Sequence, residues 1–257
     1  MAERDLAAAV ESEYLSTWRK MGELVERGAV EPGPPLCVAS GAPIPFFNQA
    51  FFTEPSSDPQ GDLVAIDGFF SNHDVPYAVV FRDGVDPAAE GYARDAGFAK
   101  VETLPGMAMH PLGAPPPTPI GFRLEEVDEP ELHAAFLALV AESFELPLDV
   151  MAETYTFELA QSPGFAELMG WESGRPVAGS MVSVNEGVAG IYNVVTSPAA
   201  RGRGLGAYMT WSAIEAGRER GCDIATLQSS EMGFGVYRRM GFREVSRYNV
   251  YLKDRDV

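Results

Sequence analysis

The sequence of 257 residues predicts an α/β protein with a mixed sheet, built of two similar units. Three observations lead to this prediction. Strand-like and helix-like apolar patterns alternate through the second half of the chain. A glycine-rich loop joins one predicted strand to the helix that follows it. An internal repeat relates the first half of the chain to the second.

A proline-rich run at 111–119 divides the chain. Proline has no backbone N–H donor and fixes φ, so this run cannot continue a helix or a central strand. Such a segment acts as a semi-rigid connector. The sequence therefore predicts two domains, at 1–116 and 117–257.

Apolar periodicity and the turn residues between apolar runs define the elements of the second domain. Strands are predicted at 122–127, 165–172, 177–185, 188–195, 223–229 and 248–253. Helices are predicted at 131–143, 148–160 and 205–220. The second and third strands form a hairpin because Ser-Gly-Arg-Pro at 173–176 is typical of a tight turn.

The loop at 201–207, Arg-Gly-Arg-Gly-Leu-Gly-Ala, is the most informative segment of the chain. Its backbone N–H groups can approach a ligand closely, and the following helix adds the positive end of its dipole. This arrangement binds phosphate groups, and Arg201 and Arg203 add positive charge. A Walker loop is excluded because no Gly-Lys-Ser/Thr is present, and a dinucleotide fingerprint is disfavoured because the loop lies late in the chain.

The pattern Arg-x-x-Gly-x-Gly of Arg201, Gly204 and Gly206 resembles the acetyl-CoA signature of the GNAT acetyltransferases. Residues 235–242, Gly-Val-Tyr-Arg-Arg-Met-Gly-Phe, resemble the closing helix of that family. The resemblance covers about the last half of the chain. It implies a GNAT fold, acetyl-CoA as the acyl donor, and a strand at 188–195 that diverges from its neighbour to pair with the pantetheine arm.

The resemblance also implies which residues bind the coenzyme. They are Val194, Val195, Arg201, Gly202, Arg203, Gly204, Leu205, Gly206, Ala207, Ser229 and Tyr237. The amide of Val194 or Val195 is expected to polarise the thioester oxygen, and Tyr237 matches the general acid that protonates the departing thiolate. A core tyrosine is the alternative for Tyr237, but Ala93 stands at its position in the repeat.

A base is required to take a proton from the attacking amine. Glu231 is the predicted base because it follows the strand at 223–229 and would face the cleft. Glu142, Glu145 and Glu153 on the early helices are alternatives. A chain of water molecules without a protein base is a further alternative, since many members of the family use one.

The internal repeat predicts that the first domain is a second, degenerate copy. Residues 91–98 align with 235–242, and 46–50 align with 191–195, at nearly equal separations. The first copy has carboxylates and prolines at 53–62, where the second has its glycine-rich loop. Carboxylates repel phosphate, and proline lacks the N–H donor. The N-terminal GNAT-like unit is therefore not expected to bind acetyl-CoA.

Composition narrows the class of protein further. The net charge of −18 disfavours nucleic acid as a partner, and no apolar run is long enough to span a membrane. The first five residues do not resemble a signal peptide. Cys37 and Cys222 make no disulfide framework, and His73, His110 and His133 lack the spacing of metal ligands. A cytoplasmic, metal-free protein is the expectation.

Charge is distributed unevenly along the second domain. Residues 120–200 carry a net charge of −11, whereas residues from 201 onwards carry +3. These signs suit a cationic amine acceptor and an anionic donor, although general solubility is an alternative explanation. The sequence predicts an N-acetyltransferase, monomeric or homodimeric, in which a primary amine of a small cationic molecule attacks acetyl-CoA directly. The alternative function is a non-catalytic acyl-CoA-binding regulatory module.

Overall fold

The structure is a computed structural model that describes residues 5–253. The expectation about a signal peptide concerns mainly residues 1–4, which lie outside the described part. The helices are α1 (Leu6–Leu24), α2 (Pro59–Asn72), α3 (Pro87–Asp95), α4 (Pro130–Phe144), α5 (Leu148–Thr154), α6 (Phe157–Ala160), α7 (Leu205–Glu219) and α8 (Glu231–Met240). The strands are β1 (Ala29–Glu31), β2 (Leu36–Ala39), β3 (Gln49–Phe52), β4 (Ala78–Arg82), β5 (Phe98–Met109), β6 (Phe122–Glu126), β7 (Phe165–Glu172), β8 (Arg175–Asn185), β9 (Val188–Thr196), β10 (Ile224–Gln228) and β11 (Arg243–Lys253).

The chain divides into two compact units, and each combines separate segments. The C-terminal unit comprises Met107–Arg243 together with residues 5–17. The N-terminal unit comprises Trp18–Gly106 together with residues 244–253. The run at 111–119 contains no helix or strand. The domain boundary after residue 116 stays a prediction, because these units describe compactness and not independent folding.

The C-terminal unit has a mixed sheet in the order β10-β9-β8-β7-β6. The pairs β6–β7, β7–β8 and β8–β9 are antiparallel, whereas the pair β9–β10 is parallel. Helix α7 packs directly on this sheet. Gly217 of α7 lies so close to β9 that an added Cβ would come within 2.5 Å of the Ala189 Cβ. The predicted mixed α/β fold is confirmed.

Strands β9 and β10 diverge shortly after they begin. Their register partners are Val188 with Ile224, Ala189 with Ala225, and Gly190 with Thr226. Strand β9 continues for six more residues, 191–196, without a partner on β10. The divergence expected from the sequence is therefore confirmed, and backbone groups that face this gap are free of the sheet ladder.

A bulge interrupts the pairing of β8 with β9 near this gap. Gly179 is paired with Val195, but Met181 is paired with Tyr192, so β9 has the extra residue. Asn193 accommodates the bulge in the left-handed region, with φ 49°. Asparagine adopts this conformation more readily than most residues. The bulge re-aims the backbone immediately before Val194.

The N-terminal unit repeats the topology of the C-terminal one. Its sheet contains the order β1-β2-β3-β4-β11, with β3 and β4 parallel, as β9 and β10 are. The element order β3-α2-β4-α3-β5 matches β9-α7-β10-α8-β11. Stacked aromatic pairs fill its core, for example Phe52 on Phe81 at 4.8 Å between ring centroids. The predicted internal repeat is confirmed as a repeat of secondary structure.

Two local predictions were wrong. The helix predicted at 148–160 is two short helices, α5 and α6. The Thr156 hydroxyl accepts a hydrogen bond from the Leu159 amide, and so it caps a new helix in the middle of the predicted one. In the first copy, the alignment of 46–50 with 191–195, which lies in the predicted strand 188–195, implied a strand near Phe47. That segment instead begins with a short 3₁₀ helix, Pro45–Phe47, and β3 follows it. Pro45 at the start favours that turn over an extended strand.

Candidate active site

A cleft of about 780 Å³ lies in the C-terminal unit. It is bounded by the end of α4, the end of β9, the loop at 201–204, the first turn of α7, and α8. Nine of the predicted coenzyme-binding residues line it: Val194, Val195, Arg201, Gly202, Gly204, Leu205, Gly206, Ala207 and Tyr237. The remaining two, Arg203 and Ser229, are not among its lining residues.

The glycine-rich loop has the backbone conformation that its sequence suggests. Gly202 and Gly204 are in the left-handed region, with φ of 77° and 81°. A Cβ at either position would meet no atom within 4 Å, so both glycines face open space. Gly204 is the N-cap of α7, and no side chain caps this helix. The first amides of α7 therefore remain available to an anion, with the helix dipole behind them.

The two loop arginines have different partners. Arg201 lines the cleft, and its Nε donates to the Thr196 carbonyl at 3.2 Å. Arg203 instead makes a two-pronged ion pair with Glu172 on β7, with N–O distances of 2.6 and 2.7 Å. These hydrogen bonds lower the pKa of Glu172. In this structure the guanidinium of Arg203 is committed to β7 and does not point into the cleft.

Helix α8 supplies the other wall of the cleft. It begins at Glu231, four residues earlier than the segment singled out in the sequence, because the Ser230 hydroxyl accepts from the Gly233 amide. Among its lining residues is Arg239, which sequence reasoning missed. Within residues 5–253, no hydrogen bond or ion pair engages the Arg239 guanidinium. Arg239 follows Val236 by three residues, so helical spacing alone could have placed both on the face of α8 that lines the cleft.

Tyr237 lies in the wall of the cleft with its ring held on two sides. The ring folds back over Gly233, where a Cβ would come within 2.7 Å of Tyr237 Cε2. It also meets Phe242 edge to face at 5.9 Å between centroids. Burial raises the pKa of Tyr237 above its usual value of 10, although a hydrogen bond with Thr210 acts in the opposite direction. The phenol is therefore protonated at neutral pH.

The candidate bases are all exposed at the surface. Glu231 occupies the first position of α8 and is not among the residues that line the cleft. Glu142, Glu145 and Glu153 are also exposed, on or beside α4 and α5. From α4, the cleft receives Ser143 and Phe144 instead. The choice among these carboxylates and water stays a prediction.

Ser229 lies beside the cleft with its hydroxyl already engaged. It is fully buried, and its Oγ donates to the Ser230 carbonyl at 2.8 Å. The neighbouring Ser230 lines the cleft in its place. A hydrogen bond donated by the Ser229 hydroxyl to a coenzyme would first require this local bond to break.

The equivalent helix of the N-terminal unit has a closed N-terminus. Asp58 is the N-cap of α2, and its carboxylate accepts from the Gly61 amide at 3.1 Å. Nearby, Asp86 accepts from the Ser56 amide. A carboxylate thus occupies the position at which α7 is open. An anion would have to displace it against charge repulsion.

Among the residues that the structure describes, no group of three or more His, Cys, Asp or Glu side chains could hold a metal ion. No helix within 5–253 is both long enough and apolar enough to cross a lipid bilayer.

Comparisons with known proteins agree with this geometry. Residues 133–242 match the family described as Acetyltransferase (GNAT) family. A GCN5-related N-acetyltransferase from Kribbella flavida is similar in structure, with a TM-score of 0.74 and 20% identity over 99% of this chain and 97% of that one. A GCN5-related N-acetyltransferase from Sphaerobacter thermophilus has a TM-score of 0.60 and 20% identity, over 79% and 71% of the two chains.

The two-unit arrangement also has a counterpart among solved structures. A tandem GNAT protein from the clavulanic acid biosynthesis pathway has a TM-score of 0.59 and 15% identity, over 95% of this chain and 94% of that one. At such identities the likeness shows the fold. A search of curated protein sequences found no significant match.

Proposed function

We propose that the chain transfers the acetyl group of acetyl-CoA to a primary amine of a small cationic molecule, because residues 133–242 match the GNAT acetyltransferase family. The observation that carries the proposal is the convergence of two features on one cleft. One is the uncapped N-terminus of α7 behind Gly202 and Gly204, and the other is the protonated phenol of Tyr237.

In the proposed reaction, the diphosphate of the coenzyme binds the amides at 202–207, with Arg201 beside it. The pantetheine arm pairs with the free edge of β9, and the amide of Val194 or Val195 donates to the thioester oxygen. The amine nitrogen attacks the carbonyl carbon directly, and the carbon–sulfur bond then breaks. Tyr237 gives its proton to the departing sulfur, while Glu231 or a water molecule takes the proton of the amine.

The test of this proposal combines a binding titration with a turnover assay. Calorimetry with acetyl-CoA measures the first step, and release of free thiol in the presence of a panel of primary amines measures the second. Failure to bind acetyl-CoA would contradict the proposal. Binding without thiol release for any amine would instead assign the chain to the regulatory acyl-CoA-binding class.

We expect one acetyl-CoA per chain, bound to the C-terminal unit. The N-terminus of α7 is open, whereas Asp58 closes the equivalent end of α2 with a negative charge. Calorimetric stoichiometry measures this directly. Two sites of similar affinity would contradict the prediction.

Arg239 is expected to contribute more to coenzyme affinity than Arg203 does. Arg239 lines the cleft without a partner among the described residues, whereas Glu172 holds Arg203. A hydrogen bond to a charged group contributes about 1.5–3 kcal/mol, so Arg239→Gln should weaken binding by about 10- to 100-fold. Arg203→Gln should change the affinity by less than about threefold.

The control for Arg239→Gln is Arg238→Gln, the exposed neighbour on α8 that does not line the cleft. Dissociation constants measured at several salt concentrations should show a weaker salt dependence for Arg239→Gln alone, because one phosphate contact is lost. Equal losses for the two neighbouring arginines would contradict a specific contact.

The proposal also covers the partners, the cellular location and the domain organisation of the chain. A net charge of −18 disfavours nucleic acid as a partner. We also propose a cytoplasmic protein without membrane partners, acting as a monomer or a homodimer. We also retain the division into a degenerate GNAT-like domain at 1–116 and an acetyltransferase domain at 117–257.

A further inference from the structure

A carboxyl group from the first helix of the chain lies buried in the C-terminal unit. Glu13 on α1 is fully buried, and the residues of α1 up to Thr17 belong to this unit. Tyr192 on β9 donates its hydroxyl to Glu13 Oε2 at 2.6 Å. Thr17 donates to Glu13 Oε1 at 2.7 Å, and Ser183 Oγ lies 2.6 Å from the Thr17 hydroxyl. Both carboxyl oxygens are thus engaged in a buried network.

The backbone of β9 has a gap in which this carboxyl group fits. A Cβ at Gly190 would lie 2.1 Å from the carboxyl carbon of Glu13, so only glycine leaves room for it there. Gly190 is also the last residue of β9 that is paired with β10. Glu13 therefore lies on the sheet at the point where the two strands part.

Tyr192 connects this network to the proposed site of acyl transfer. Beyond Gly190, strand β9 has no β10 ladder to fix it. Tyr192 directly precedes Asn193, whose left-handed backbone makes the bulge, and Val194 and Val195 then enter the cleft. The bond from Tyr192 to Glu13 adds a side-chain attachment to the pairing of Tyr192 with Met181 on β8, on the near side of the bulge.

Attachment of α1 to the sheet does not by itself explain why a carboxyl group is buried at position 13. A buried carboxyl group costs free energy unless both oxygens are bonded, and apolar side chains attach a helix to a sheet without that cost. A hydrogen-bonded network fixes direction as well as distance. Burial and the nearby Glu13 raise the pKa of Tyr192 well above its usual value, so its donor proton is retained at every pH of interest.

We propose that Glu13 is a positioning residue for acyl transfer: by holding Tyr192, it fixes the bulge at Asn193 and thereby aims the backbone amide of Val194 or Val195 at the thioester oxygen. This inference rests on the proposed function, and it assigns a task in the second unit to the first helix of the chain.

The test measures the hydrogen bond at the thioester oxygen itself. Acetyl-CoA labelled with ¹³C at the acetyl carbonyl is bound to the full-length protein, and the carbonyl stretching band is recorded by infrared difference spectroscopy. In the wild-type protein the band should lie at lower wavenumber than in free acetyl-CoA. In Tyr192→Phe and Glu13→Ala this displacement should be at least halved, whereas Glu13→Gln, which keeps an acceptor oxygen, should retain most of it.

Affinity provides a second readout. The wild-type protein should prefer acetyl-CoA over free CoA, which lacks the carbonyl group. A net hydrogen bond corresponds to about a 2- to 10-fold change in a dissociation constant, so Tyr192→Phe should reduce this preference by about that factor while affinity for CoA stays the same. Tyr208→Phe is the control, because it also removes one tyrosine hydroxyl, which donates to Thr118 outside the coenzyme cleft.

The outcomes distinguish failure of the positioning role of Glu13 from failure of the proposed acetyl transfer. An unchanged band and an unchanged preference in Tyr192→Phe, with acetyl-CoA bound normally, would overturn the positioning role and leave the proposed function standing. No binding of acetyl-CoA to the wild-type protein would overturn both. If Glu13→Ala does not fold, Tyr192→Phe alone decides, because it removes a single oxygen atom.

Discussion

Replacement of Tyr237 by phenylalanine is expected to lower turnover by about two to four orders of magnitude, the usual loss when one positioned acid is removed. The substitution keeps the ring that packs over Gly233 and against Phe242, so the fold of α8 should survive. Coenzyme affinity should change little, because the phosphates are held by the loop at 201–207. Steady-state thiol release and a binding titration on the same variant measure both effects.

The pH dependence of turnover gives a second test of Tyr237. The pKa of this phenol is raised, mainly by burial, so the acid form persists up to its usual value of 10 and beyond. Turnover should therefore fall only as the pH rises through that raised pKa, and Tyr237→Phe should lack this alkaline limb. Near wild-type turnover in the variant would show that water or another group protonates the thiolate.

Replacement of Gly204 by valine is expected to abolish coenzyme binding within the range of calorimetry. The residue has φ 81°, a conformation that a β-branched side chain adopts only with strain. Its missing Cβ faces open space at the uncapped end of α7, where the phosphates are proposed to approach the amides. Valine would both disturb the loop and obstruct that approach.

The control for Gly204→Val lies at the other end of the same helix. Gly221 follows α7 with φ 90°, and a Cβ there also meets no atom within 4 Å. Gly221→Val should cost about 1–2 kcal/mol of stability through the same backbone strain and leave coenzyme affinity unaltered. Loss of binding in both variants would mean that strain, and not obstruction of the loop, is responsible.

Local patterns were sufficient to predict most of the fold. The hairpin of β7 and β8 was predictable because Ser173 and Gly174 adopt the left-handed conformations that its tight turn needs. The helix at 148–160 was mispredicted because its apolar pattern continues through the break. The hydroxyl of Thr156, which caps the start of α6, leaves no trace in hydrophobic periodicity.

In the candidate site, too, local features were predictable from the sequence and tertiary contacts were not. The loop at 201–207 is contiguous in sequence, so its glycines could be recognised together. The pairing of Arg203 with Glu172, 31 residues away, and of Tyr192 with Glu13, 179 residues away, depends on tertiary structure. Neither pair has a periodicity or motif. The sequence therefore predicted the loop at which we propose phosphates to bind, but not which arginine beside it has no partner among residues 5–253.

The position of β11 in the N-terminal unit has a consequence for synthesis of the chain. Strand β4 is apolar and almost fully buried over Ala78, Val79, Val80 and Phe81, and its antiparallel neighbour in the sheet is β11. That neighbour is translated about 170 residues later. At ~5–20 residues per second, the nascent unit waits roughly ten to thirty seconds with this edge unpaired. An apolar edge of this kind invites pairing with other chains, so the unit translated first is the one most exposed to aggregation on the ribosome.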